Sequence, residues 1–107
     1  MLKHLHPKVT CLATVNFIAQ LVNQQVAHEI IALQIMALLL ERATDDSVEI
    51  AVSLCKAVGA YLTDESGKSM MAIFELFRSV LQEGRINKRV QYMIEVLFEV
   101  RKEKFKV

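Results

Sequence analysis

Apolar residues recur every three to four positions through almost the whole chain, the period of helices with one buried face. The first series is Val9, Leu12, Val15, Ile18 and Val22. It follows Pro7, a residue suited to a first helical turn, and predicts a helix that ends at the polar break "VNQQ". A second helix is predicted from about Val26 to Arg42. Its run Ile30 to Leu40 is apolar nearly all round, which predicts burial between neighbouring helices, with Leu33, Met36 and Leu40 in the core. A third helix carries Val48, Val52, Cys55, Val58 and Leu62 along one stripe. The preceding "ATDDSVE" supplies its start: Thr44 can accept from the next turn's amides, and Asp45 and Asp46 suit the positive end of the helix dipole. Gly59, near that helix's end, fits a close approach or a relaxing terminus.

"TDESGKS" offers the next cap, and a fourth helix places Met70, Ile73, Phe74, Phe77 and Leu81 inward before Gly84 stops it. "INKRVQYMIEVLFEVRK" makes a fifth helix with Val90, Met93, Leu97 and Val100 as its stripe. The starts near residues 7, 45 and 87 give helix pairs a period of about 40 residues, that of HEAT-type repeats. The expected fold is therefore all-α, a HEAT-like antiparallel helix-pair solenoid (an alpha-alpha superhelix) of about five helices. A plain four- or five-helix bundle is the alternative. The fifth helix has no visible partner, so its stripe is expected to stay half exposed, as in a piece cut from a longer solenoid. An uncovered apolar strip at an end of the stack in turn predicts self-association.

Composition agrees with helices joined by tight corners: 53% of residues are hydrophobic, with only 3 Gly and 1 Pro. At 107 residues the chain is expected to form a single domain over 1–107. Cys11 and Cys55 each sit inside an apolar series and read as two reduced core thiols of an intracellular protein. No secretory signal pattern is visible at the N-terminus. The run Ile30 to Leu40 is shorter than the roughly 20 residues a membrane span needs, and no membrane partner is expected.

Motifs for chemistry are missing. His28-Glu29 is followed by Ile30, Ile31 and Ala32, so the second histidine of a zinc-protease helix is absent and His28 reads as a polar helix end. His4 and His6 make a weak metal signal without further ligands nearby. There is neither a Gly-rich phosphate loop nor a Gly-x-Ser-x-Gly elbow. No enzyme activity, cofactor or metal is expected.

Charge is divided along the chain. Residues 1–84 hold 6 Lys/Arg against 9 Asp/Glu, and residues 85–107 hold 7 against 3. Asp45 and Asp46 are candidates to meet a basic patch on a partner, since loops between repeat helices line a common edge of solenoids; simple helix-end stabilisation is the competing account. Arg85, Lys88 and Arg89 form a basic corner at the start of the fifth helix, where positive charge opposes the dipole and suits partner contact better than local stability. A merely solvated face is the plainer alternative. Direct RNA binding through residues 85–107, with Tyr92, Phe98 and Phe105 as stacking platforms, is a further candidate.

"LVNQQVAHEIIALQIMALLLERATDDSVEIAV" and "INKRVQYMIEVLFEVRKEKFK" together resemble the later half of the middle domain of the translation initiation factor 4G superfamily. The pieces "NQQVAHE", "LLLER" with "TDDSVE", and "KRVQYMIEVLF" with "VRK" are most similar to its spliceosome-associated nucampholin branch. Two departures carry physical content. Ala43 stands where that family usually has Pro, and Lys104 where it tends to have Gly, which removes a natural helix stop. The resemblance implies the C-terminal part of a helical-repeat scaffold that works in the nucleus in pre-mRNA splicing. It implies as partners the spliceosome proteins and a DEAD-box ATPase of the initiation-factor-4A type, held open until the exon junction complex assembles. Catalysis would then belong to the ATPase, and RNA contact would be mainly indirect.

Overall fold

The computed structural model describes residues 7–25 and 27–105, with side chains from Cys11 onward. Expectations placed on His4, His6, Val26, Lys106 and the Val9 side chain fall outside the described residues. Five helices follow in order: α1 (Pro7–Asn23), α2 (Glu29–Glu41), α3 (Asp45–Glu65), α4 (Gly67–Glu83) and α5 (Lys88–Lys102). No strand occurs among the described residues.

The helices form two layers. α3 packs against all four others; α1 and α5 flank it in one layer, while α2 and α4 pack on each other in the second. This is the HEAT-like arrangement expected from the period, in which the first helices of successive pairs share a layer and the second helices share the other. α3 can serve as the hub because it is buried on more than one face: Val48, Ile50, Ala51, Val52, Leu54, Cys55, Val58, Gly59 and Leu62 are all enclosed.

That hub overturns one expectation. The stripe of α5 is not left open: Val90, Ile94 and Leu97 are fully buried, with Ile94 in the inner position that the periodicity had given to Met93. The uncovered apolar surface lies elsewhere. α2 buries only Ala32, Met36 and Leu40, Leu33 is half-buried, and Leu38 on the outer side is 67% exposed. A helix apolar all round is therefore covered on one side alone. In α4, Val80 is buried and Leu81 half-buried, a shift of one position from the expected stripe. Cys55 is buried as expected, whereas Cys11 is exposed.

Helix ends follow local chemistry. α2 begins later than the apolar pattern suggests because His28 is its cap, Nδ1 accepting from the Ile30 amide at 3.1 Å. Thr44 and Ser47 form a reciprocal capping box on α3. Ser66 occupies the N-cap of α4 without a side-chain capping bond, so "TDESGKS" yields a corner rather than a side-chain cap. Gly84 ends α4 in the left-handed conformation, φ 69°. Lys104 does not remove the stop of α5. It adopts φ 56° itself, the Phe105 amide donates to the Val100 carbonyl, and the Lys104 amide donates to that of Arg101. This is a Schellman closure with lysine at the position that favours glycine.

The closure aims Phe105 back into the core. Its ring lies on Gly59, where a Cβ would overlap it, and 6.4 Å from the Phe74 ring. The missing Cβ of Gly59 is the slot for Phe105, which settles its role as close approach.

Candidate functional site

The starts of α3 and α5 lie side by side, and their caps are wired together. The capping box satisfies the first amides of α3 through Thr44 and Ser47, with the Thr44 amide donating to Ser47 Oγ at 2.9 Å and the Ser47 amide to Thr44 Oγ1 at 3.1 Å. Asp45 is thereby released from capping its own helix. Its Oδ1 instead accepts from the Asn87 amide at 2.8 Å, and Asn87 Oδ1 accepts from the Val90 amide at 2.9 Å to cap α5. The chain of bonds runs from the acidic first turn of α3 through Asn87 into α5.

Arg89 is drawn into the same cluster. Its Nη2 donates to Glu49 Oε1 at 2.7 Å, with Glu49 14% exposed, and Nη1 lies 3.6 Å from Met93 Sδ. The hydrogen bond to Glu49 raises the Arg89 pKa, as does Glu49's charge, with Asp45 and Asp46 adding to the effect. Arg89 therefore departs from the expectation that positive charge at this helix start brings no local stability. Positive charge at this helix start does have a local partner, supplied by the neighbouring repeat.

Of the five residues singled out in the sequence, the fold brings Asp45, Asp46 and Arg89 into one electrostatic group. Arg85 and Lys88 flank it, both exposed. Arg85 Nε lies 3.9 Å from Glu83 on a highly exposed pair, a contact of little strength, and Lys88 makes no ion pair among the described residues. A groove of about 400 Å³ runs beside them between the α2–α3 and α4–α5 corners, with Leu40, Val80 and Ile86 among its lining and Arg42, Glu83 and Arg85 at its charged margin. Glu49 and Asn87 are members that residue-by-residue inspection passes over. Their signal is the period, since Asp45 meets Asn87 across 42 positions and Glu49 meets Arg89 across 40.

The aromatic platforms needed for RNA stacking are largely committed to the core. Phe98 is half-buried with its ring 5.9 Å from Phe74, and Phe105 fills the Gly59 slot. Tyr92 alone of the three is exposed, at 66%. Among the described residues, no three His, Cys, Asp or Glu side chains gather as metal ligands, and no helix is long and apolar enough to cross a membrane.

The model of the MIF4G domain matches residues 2–104. The chain belongs to the MIF4G domain family. This MIF4G chain is 60% identical over 99 residues to the pre-mRNA-splicing factor CWC22 of Mycosarcoma maydis, covering 92% of the chain and 11% of that protein. It is 56% identical over the same length to the CWC22 homolog of Drosophila melanogaster, at 7% of that protein. It is 52% identical to a male determiner protein of Musca domestica, at 8% of that protein. The chain thus spans about a tenth of the length of the curated relatives it matches. Family membership and the five-helix structure agree on a HEAT-like fold.

Proposed function

We propose that this MIF4G chain is part of a non-enzymatic scaffold of pre-mRNA splicing in the nucleus. In this reading it forms the C-terminal part of a middle-domain-type repeat and associates with spliceosome proteins. It binds a DEAD-box ATPase of the initiation-factor-4A type and supports exon junction complex assembly. The observation carrying this function is 52–60% identity, over 92% of the chain, to proteins named as pre-mRNA-splicing factors. The ATPase as partner, and its docking on the α3–α5 edge, are the finer parts of the proposal. They are supported by the exposed charges that the internal network leaves available. Lys88 and Arg85 project beside the Asp45–Asn87 link, so a partner can read them without dismantling the caps. Arg89 is the poorer probe, because replacing it also breaks its bond to Glu49.

The test is capture of the purified ATPase by the full-length protein, with Lys88→Glu and Arg85→Glu compared with the unaltered sequence. Charge reversal at a contact is expected to weaken the complex about tenfold while leaving the circular dichroism and melting temperature unchanged. No capture of the ATPase by the unaltered protein overturns the partner. Capture unaffected by both reversals overturns the docking edge. RNA binding that is steep in salt and lost on Lys88→Glu would instead favour direct nucleic-acid recognition.

A further inference from the structure

A separate groove lies on the C-terminal half of α5, about 20 Å along the helix axis from Lys88. There α4 and α5 enclose an open groove of about 510 Å³ lined by Arg78, Glu95, Phe98, Glu99, Arg101 and Lys102. Two guanidinium groups are held in place by aromatic rings. Arg101 lies 4.4 Å from the centroid of the Phe74 ring, Phe74 and Phe98 are 5.9 Å apart, and Arg78 lies 5.5 Å from the Phe98 centroid. Each guanidinium thus rests on a ring, Arg101 on Phe74 and Arg78 on Phe98, which reduces the ordering cost of seating an anion on it.

Arg101 is the unusual member. It is half-buried, yet it makes no ion pair with any carboxylate among the described residues. Arg78 and Lys102 have only exposed partners one helical turn away, Glu75 at 3.7 Å and Glu99 at 3.5 Å, pairs that an incoming carboxylate can replace at small cost. The lining also carries Glu95 and Glu99. A nucleic-acid backbone, with a phosphate at every step, would meet these two acids; a peptide offers carboxylates to the arginines and amide donors to the glutamates.

We infer that the α4–α5 groove of Arg78, Phe98, Arg101 and Lys102 docks an acidic peptide segment of a protein partner, with a carboxylate of that segment seated on Arg101. This site is separate from the α3–α5 edge and does not rest on the identity of the ATPase. Arginine suits it better than lysine because the planar fork can stack on a ring and donate two bonds together to one carboxylate.

The experiment is fluorescence anisotropy on the full-length protein with a fluorescein-labelled peptide of alternating Glu and Leu. Its Gln–Leu counterpart and oligouridylate serve as comparison probes. The Glu–Leu peptide is expected to bind, to weaken as salt rises, and to lose at least tenfold in affinity on Arg101→Gln. Lys102→Gln, which leaves the ring stack untouched, is expected to weaken it several-fold, and Lys88→Glu to leave it unchanged. Should Arg101→Gln fail to fold, Lys102→Gln with Arg78→Gln decides the matter. Absence of binding overturns the proposal. So do equal binding of the Gln–Leu peptide, indifference to the groove substitutions, and oligouridylate displacing the peptide.

Discussion

Asp45 accepts a hydrogen bond from the backbone of Asn87, 42 positions away, at 2.8 Å. The bond crosses from one repeat to the next and joins two helix starts that would otherwise repel each other through their parallel dipoles. A carboxylate placed between two positive helix ends stabilises both.

Replacing Asp45 with Ala is therefore expected to cost about 1–2 kcal/mol, from the unmade bond to Asn87 and the lost dipole interaction. Asp45→Asn keeps an acceptor and is expected to recover part of that loss. Urea unfolding of the two variants measures the difference. A change below about 0.3 kcal/mol for Asp45→Ala would show that water replaces the carboxylate without cost.

Gly59 and Phe105 are expected to behave as one unit. Gly59→Ala puts a methyl where the ring sits and drives Phe105 out of its slot, at a cost of about 1–3 kcal/mol. With Phe105→Ala already in place, Gly59→Ala is expected to be nearly neutral, and a double-mutant cycle reads the coupling. Lys104→Gly relieves the left-handed strain at φ 56° and is expected to stabilise the chain by up to about 1 kcal/mol.

The two thiols are expected to separate cleanly. Burial pushes Cys55 up to about 12, while Cys11 is exposed. A thiol reagent at pH 8 is expected to modify exposed Cys11 in the folded protein and Cys55 only on unfolding. Above pH 9 the unfolded state releases the Cys55 proton and the folded state retains it. Stability then falls by about 1.4 kcal/mol per pH unit until the folded thiol titrates. The difference in alkaline stability between the native sequence and Cys55→Ala, followed by thermal melts from pH 8 to 11, checks the slope.

The outer side of α2 exposes Ile30 at 49%, Ile31 at 40% and Leu38 at 67%. A surface of this kind favours association, and sedimentation is expected to show mass rising with concentration. Leu38→Lys is expected to reduce that association together with the fluorescence of an apolar dye. A monomer at high concentration with no dye response would show that this face tolerates water.

Much of the candidate site was legible in part. Thr44, Asp45 and Asp46 announce a helix start because capping depends on residues within one turn of the cap, and the structure has Thr44 as the cap with both aspartates in the first turn. Arg85, Lys88 and Arg89 announce a basic corner for the same reason. The sequence pattern did not show that the acidic start and the basic corner touch, or that Glu49 ties Arg89 to the neighbouring repeat.

The chain's own order of residues determined the five helices, most of their ends, the 40-residue period and the family, because these depend on neighbours three or four positions away and on repetition. Tertiary structure decided that α5 is covered, that α2 is left open on one side, that Lys104 takes the place of a glycine, and that Arg101 stands on a phenylalanine ring with no ion-paired acid among the described residues. Each of these depends on the lateral and rotational offset of one helix on another. That offset is set by summed packing of side chains from distant repeats, here around α3, and no local pattern carries it.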